Sequence, residues 1–415
     1  MIPSENYTYP EVREAVGSVL MHKYSEGYPG KRFYQGMENV DALERICQTR
    51  ALEAFNLNPE MWGVNVQSYS GSPANLAVLN ALLSPGDTIM AMYLPDGGHL
   101  SHGWSTKDKK VTLSSKIYRV EHYYVEGDND QFDYTKLALQ ASKIRPKLII
   151  SGGTAYPREI DYGRLGKIAH REGSYYLADV AHEAGLIAAG TLNSPFNDAD
   201  VVTMTTHKTL RGPRGALIFG RNEIMDQINT SVFPGLQGGP HNNTIAGIAI
   251  ALARTKESEF KKYAAQTVEN AKYLAELLKA KGYDLVSGGT DKHLVLVDLR
   301  EKKTNGWFVA WALEVAGIVT NKNTIPSDTG SPYYPSGLRL GTPAISARGM
   351  KEREIKQIAE WIDEVVTLSG EHNLPEDKDE RVVYLQNFKK DMVGNVRLKA
   401  LSKEVRDLCE RFPIE

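Results

Sequence analysis

The chain has 415 residues, 41% hydrophobic and 24% charged, which is enough apolar material for a large core and more than one domain. A net charge of -2 argues against nucleic acid as the main partner, and no uninterrupted apolar run is long enough to span a bilayer. Two cysteines, Cys47 and Cys409, lack Cys-x-x-Cys spacing and suggest neither a disulfide framework nor a structural zinc site. The amino terminus lacks the charged-then-apolar layout of a secretory signal, so a cytoplasmic protein is expected.

Residues 1–40 are rich in tyrosine, glycine and charge, with one short helical pattern, and read as an arm that reaches across another surface. From 41 to 253, helical patterns alternate with short apolar or β-branched runs such as Lys147–Ile150, Tyr175–Ala178 and Asp200–Val202. This alternation predicts an open α/β sheet with helices on both faces, the large domain of the protein. From 254 to 415 the texture changes. A charged helical stretch, Thr255–Gly282, leads into the strand-like run His293–Asp298 and a further helix near Trp307–Ala316, which together predict a smaller carboxyl-terminal α/β domain. The charge run Pro375–Arg381 reads as a solvated loop.

Open α/β sheets bind ligands outside the carboxyl ends of their strands. Polar residues stand there after three successive runs: Thr154, then Asp179 and His182, then His207 and Lys208. By residue type alone Lys208 is an ordinary solvated lysine. Burial, or a cation such as Arg214, would favour its neutral amine and make it a Schiff-base nucleophile. Asp179 alone reads as a helix cap. Beside Lys208, one strand-helix-strand unit away, it suits a different task, holding the protonated ring nitrogen of pyridoxal 5'-phosphate. Ser70-Gly71-Ser72 precedes Pro73 at a helix start and would offer amides and hydroxyls to a phosphate. There is no G-x-G-x-x-G or P-loop pattern to compete with it. His99 and His102 admit two readings, a metal pair with no evident carboxylate or cysteine partner, or an imidazole lying flat on a cofactor ring.

Seven segments, in order, carry a family likeness: Tyr24–Gly30, Ser70–Ser72, Gly97–Gly103, Asp179–His182, Thr206–Leu210, Gln237–Pro240 and Arg339–Ala344. Together they resemble serine hydroxymethyltransferase (glycine hydroxymethyltransferase) over nearly the whole chain. The resemblance implies the aspartate-aminotransferase-like, fold type I pyridoxal phosphate fold, with a large mixed-sheet domain and a smaller carboxyl-terminal α/β domain. It also implies reversible transfer of a one-carbon unit between serine and tetrahydrofolate, giving glycine and 5,10-methylenetetrahydrofolate. Residue by residue, it implies that Lys208 binds the cofactor covalently, Asp179 holds its ring nitrogen and His99 stacks on the ring. Ser70, Gly71, Ser72 and His207 would grip the phosphate, with Thr154 and His182 near the ring hydroxyl. Tyr24 and the Gly238-Gly239 turn would complete the phosphate site from a neighbouring subunit, which implies a homodimer, or a tetramer built from it. Arg339 and Ser4 would bind the substrate carboxylate, Asn323 would lie near the folate ring, and Glu26, flanked by Tyr24 and Tyr34, would transfer protons.

The chain departs from the family in Phe33-Tyr34-Gln35-Gly36, where a pair of tyrosines and two glycines are usual, and in Thr154, usually serine. It begins almost at Ser4-Glu5-Asn6, so that either an amino-terminal segment is missing or the dimer is held with less arm. Two rival readings stand beside the main one. One is a folate-independent aldolase acting on 3-hydroxy amino acids such as allo-threonine, and the other is a catalytically silent scaffold.

Overall fold

Two sheets of different size organise the computed structural model, which describes residues 1–125 and 129–414. The larger sheet has seven strands, in the spatial order Trp62–Asn65, Ala216–Arg221, Val201–Thr205, Tyr175–Asp179, Leu148–Ser151, Thr88–Met92 and Arg119–Tyr123. Only Ala216–Arg221 runs against the rest, antiparallel to both its neighbours; the other pairs are parallel. It follows Val201–Thr205 through a short turn without a crossover helix, which is the connection an antiparallel pair permits.

The central strands are buried on both faces, and their alternation sorts the core into two layers. Met90, Met92, Ile149, Tyr176, Ala178, Val202 and Met204 belong to one hydrophobic cluster. Their sequence neighbours Ile89, Ala91, Leu148, Ile150, Leu177 and Val201 belong to the other. The apolar runs are therefore strands whose two sides each meet a layer of helices.

The smaller sheet has four antiparallel strands, ordered Asp284–Leu285, Leu294–Asp298, Gly337–Gly341 and Asn321–Asn323. Its cluster draws on the helices Gly306–Val315, Glu352–Ser369 and Val396–Glu410. The long helix Ser258–Ala280 serves both units: Phe260, Tyr263, Ala264 and Val268 join the large cluster, whereas Leu274, Ala275 and Leu278 join the small one. The amino-terminal residues touch both as well. The amide of Gly341 donates to the carbonyl of Met1, and the helix Pro10–Val16 buries Val12 beside Gly247 of the helix Asn242–Arg254. Among the described residues no helix is long and apolar enough to cross a membrane.

Candidate active site

Three parallel strands end side by side and deliver their following residues to one cavity of about 330 Å³. It is lined by Ser4, Glu5, Ser70, Gly71, Ser72, His99, Gly153, Asp179, Ala181, His182, Thr205, His207, Lys208 and Arg214. The close approach of the strand ends depends on Gly152, whose φ is +101° and whose Cβ, if it had one, would fall 1.8 Å from the Asp179 carbonyl oxygen. Only glycine fits there.

Lys208 follows the strand Val201–Thr205 in a loop pinned by its own backbone and side chains. Gly212 N–H donates to Thr206 O at 2.7 Å, the Thr209 hydroxyl donates to His182 O at 2.8 Å, and Asn6 Nδ2 donates to Lys208 O at 2.9 Å. Only 9% of Lys208 is exposed. Burial, helped by Arg339 and Arg214 and opposed by Asp179 and Glu183, brings its ammonium down to about 8 from 10.5. The sequence pointed to burial or to a cation such as Arg214; burial leads, and of the two cations Arg339, from the small sheet, acts more strongly than Arg214.

Asp179 closes its strand and accepts from His102 Nε2 at 2.9 Å, Asn75 Nδ2 at 2.7 Å and the Ala181 amide at 3.1 Å. Burial alone would raise its pKa, but the hydrogen bonds from His102 and Asn75 outweigh it and hold Asp179 well below the usual carboxylate range. His102 Nδ1 is buried without a partner, so the ring proton sits on Nε2 and is donated to Asp179. Asp179 is thus the carboxylate partner of the His99-x-x-His102 pair that sequence spacing did not reveal. The ligand atoms of all three lie within 4.8 Å of one another. The His102 nitrogen facing Asp179 and both Asp179 oxygens are already taken by hydrogen bonds, which favours a proton-bearing network over a metal site.

His99 Nδ1 lies 2.7 Å from the Ser101 hydroxyl, which itself accepts from Asn75. Burial first, then His102 and Lys208, against the pull of Asp179, bring His99 down to about 4, so its ring is neutral at pH 7. Ser70 caps the helix Gly71–Leu82 with no side-chain bond to it. The first turn of a twelve-residue helix is therefore open toward the cavity, with the Ser70 and Ser72 hydroxyls beside it. His207 Nδ1 is buried with no partner, and Arg214 stands in the same wall. This is a cradle for an anion. Thr154 follows Gly153 of the cavity wall, and its carbonyl accepts from Arg339 Nη1. Arg339 is 5% exposed and also donates to Asn321 Oδ1 at 3.1 Å.

A family model described as serine hydroxymethyltransferase matches residues 1–362. The chain belongs to this family. It is 46% identical to the cytosolic serine hydroxymethyltransferase of Oryctolagus cuniculus over 100% of this chain and 89% of that protein. It is 48% identical to the cytosolic one of Aspergillus fumigatus over 100% and 91%. With the mitochondrial one of Schizosaccharomyces pombe the identity is 50% over 90% and 79%. The mixed α/β architecture is the aspartate-aminotransferase-like, fold type I architecture of serine hydroxymethyltransferases.

Of the expected site residues, Thr154, Arg339 and Asn323 do not line the Lys208 cavity, and neither do Tyr24, Glu26, Tyr34, Gly238 and Gly239 of the same chain. These last five form a second group. The rings of Tyr24 and Tyr34 are 5.4 Å apart, Tyr34 Oη lies 3.5 Å from Glu26 Oε2, and a Cβ on Gly239 would meet the Tyr24 ring at 2.9 Å. Tyr69 Oη donates to Gly239 O at 2.6 Å and ties this group to the segment before Ser70. Tyr24, Phe33 and Tyr34 are 56%, 73% and 43% exposed and form an aromatic surface, with the Phe33 ring 5.7 Å from Phe233. Asn323 is also outside the cavity, in the strand Asn321–Asn323, with its amide donating to Thr324 O at 2.6 Å.

Sequence reasoning missed Asn75, which accepts from Thr203 and donates to both Ser101 and Asp179. A signal existed, since Asn75 is a lone amide among apolar residues one turn into the helix after Ser70-Gly71-Ser72. His293, Glu183 and Lys292 were missed too, and no local pattern marks them.

Proposed function

We propose that this protein transfers a hydroxymethyl group reversibly between L-serine and tetrahydrofolate, giving glycine and 5,10-methylenetetrahydrofolate, with pyridoxal 5'-phosphate as cofactor. The observation that carries this reading is a buried lysine of lowered pKa sharing one cavity with a low-pKa aspartate, a neutral histidine and an open helix amino terminus. These are the needs of an aldehyde, a pyridinium, an aromatic ring and a phosphate. Bound there, pyridoxal phosphate supplies an electron sink for the α-carbon of an amino acid.

The chain's own residues do the rest. Ser70, Gly71, Ser72 and His207 would hold the phosphate, Asp179 would keep a proton on the ring nitrogen, and His99 would serve the ring. Lys208 would supply the amine, and Thr154 and His182 would serve the ring hydroxyl. Arg339 binds the substrate carboxylate with Ser4, its guanidinium held rigidly by Asn321 and Thr154. Asn323 contacts the folate. Glu26 moves protons, oriented by Tyr34.

Tyr24, Glu26, Tyr34 and Gly238-Gly239 reach the cavity of a neighbouring subunit in this reading, which makes the working form a homodimer or a tetramer built from two such dimers. Their grouping on an exposed aromatic surface outside their own Lys208 cavity supports it. The relatives named cytosolic favour a cytoplasmic setting. The ligands are small molecules, and neither nucleic acid nor a membrane is needed.

The test is the absorption spectrum of the purified protein with pyridoxal phosphate, then glycine, then tetrahydrofolate. We expect a visible band on adding the cofactor, and a second, longer-wavelength band that grows strongly only when glycine and folate are both present. A response to glycine that ignores folate would replace this reading with the aldolase, and no band at all with the silent scaffold. Glu26→Gln is expected to leave cofactor binding intact and to lower folate-dependent turnover by about 10²- to 10⁴-fold, the range of a lost general acid or base. A Glu26→Gln enzyme with the wild-type rate would remove Glu26 from proton transfer.

A further inference from the structure

The end of the strand Tyr175–Asp179 meets the start of the small-sheet strand Leu294–Asp298 in two adjacent contacts. His182 Nδ1 lies 3.1 Å from His293 Nε2, with the rings 5.4 Å apart and inclined by 23°. Next to them Glu183 Oε1 pairs with Lys292 Nζ, and those side chains are only 4% and 2% exposed. His293 is fixed from the other side, because its carbonyl accepts the Thr342 amide at 3.1 Å.

The protons in this pair can be placed by accounting. Both imidazoles are neutral: burial, then the cations Lys292, Lys208 and Arg339, press His293 well below its ordinary range, and burial and Lys208 do the same to His182. A neutral imidazole has one N–H and one lone pair. His293 Nδ1 is buried and has no partner, and an orphaned buried N–H is rarer than an orphaned lone pair. The His293 proton therefore sits on Nε2 and is donated to His182 Nδ1. That leaves His182 with its own proton on Nε2, the nitrogen outside the pair, in a ring that lines the Lys208 cavity.

We propose that His293 is a positioning residue that locks His182 in the Nε2–H tautomer, so that His182 can only donate, and so favours an anionic oxygen, the ionised ring hydroxyl of the cofactor. The inference rests on the pyridoxal phosphate reading for the identity of that oxygen. The tautomer itself rests only on His182, His293 and the burial around them. Because His293 immediately precedes the small-sheet strand Leu294–Asp298 and His182 follows the large-sheet strand Tyr175–Asp179, the proton arrangement in the cavity is set by how the two sheets seat on each other.

The test uses full-length protein labelled with ¹⁵N-histidine and free of cofactor, with multiple-bond ¹H–¹⁵N correlation of the ring nitrogens and His182 assigned by its loss in His182→Asn. Wild type should show His182 with a bare Nδ1 and a protonated Nε2. His293→Leu removes the donor and should give a mixture of tautomers, together with a pyridoxal phosphate Kd raised about tenfold, the scale of one lost hydrogen bond. His293→Gln keeps an N–H donor and should restore both values. A wild-type His182 protonated on Nδ1, or a His293→Leu protein with an unchanged tautomer and Kd, would overturn the proposal. If His293→Leu fails to fold, the wild-type spectrum and His293→Gln still decide it. Wild-type protein that shows the tautomer but binds no pyridoxal phosphate would overturn the cofactor reading, and with it the acceptor assigned to His182.

Discussion

Lys208→Ala will abolish serine-to-glycine turnover and the visible band of bound cofactor, yet the cofactor-free variant will be at least as stable as wild type at pH 7. Loss of activity follows from removing the amine that holds the aldehyde. The stability result follows from linkage. The amine titrates at about 8 in the folded state and at its ordinary value of 10.5 when unfolded, so between these values the unfolded chain binds more protons and stability rises with pH. Below pH 8 the buried ammonium costs the folded state about 3 kcal/mol, by the conversion of pKa shift to free energy. Alanine removes that penalty and offsets it with lost packing of the lysine stem. The loop keeps its shape, because Asn6, Thr206 and Thr209 pin it through bonds that do not involve the Lys208 side chain. Thermal melts of the two cofactor-free proteins from pH 7 to 10 provide the check. A variant melting many degrees lower at pH 7 would show that Lys208 holds the fold together.

The second large effect is on stability alone. Lys292→Met leaves Glu183 in the interior without the ammonium that pairs with it, and one of its oxygens, Oε2, already lacks a partner in the wild type. Breaking one side of a buried ion pair costs about 3–5 kcal/mol. The urea midpoint should fall accordingly. Replacing both members, Glu183→Leu with Lys292→Met, removes the stranded charge and should recover most of the loss, since well-packed apolar side chains can match a buried pair. A single variant as stable as wild type would mean that water reaches Glu183. A double variant as unstable as the single would mean that shape, not charge, is at stake.

The chemistry at the strand ends was legible because it is local. Asp179 and Lys208 each follow an apolar run, and an open sheet puts such positions beside one another, so the crevice could be read from the alternation alone. The phosphate cradle was legible from Ser70-Gly71-Ser72 and Pro73 for the same reason. What supports these residues was not. Asn75 bridges Ser101, Asp179 and Thr203, and the His182–His293 and Glu183–Lys292 contacts join positions more than a hundred residues apart, with no periodicity linking them. The reversed direction of Ala216–Arg221 was equally invisible, because its apolar run looks the same in either orientation. Glu26 and Lys208 both carry strong motifs, but no spacing says that one chain keeps them in separate places.

In the proposed homodimer with shared sites, that separation would let two damaged chains mend each other. If Glu26 serves the adjoining subunit, a mixed pair made from Lys208→Ala and Glu26→Gln chains has one site with both lesions and one with neither. Random pairing then yields about a quarter of the normal activity from two inactive parents, by simple counting over a twofold assembly. On that reading, harm done by a lesion at Glu26 would fall on the neighbour's site and not on the site of the chain that carries it.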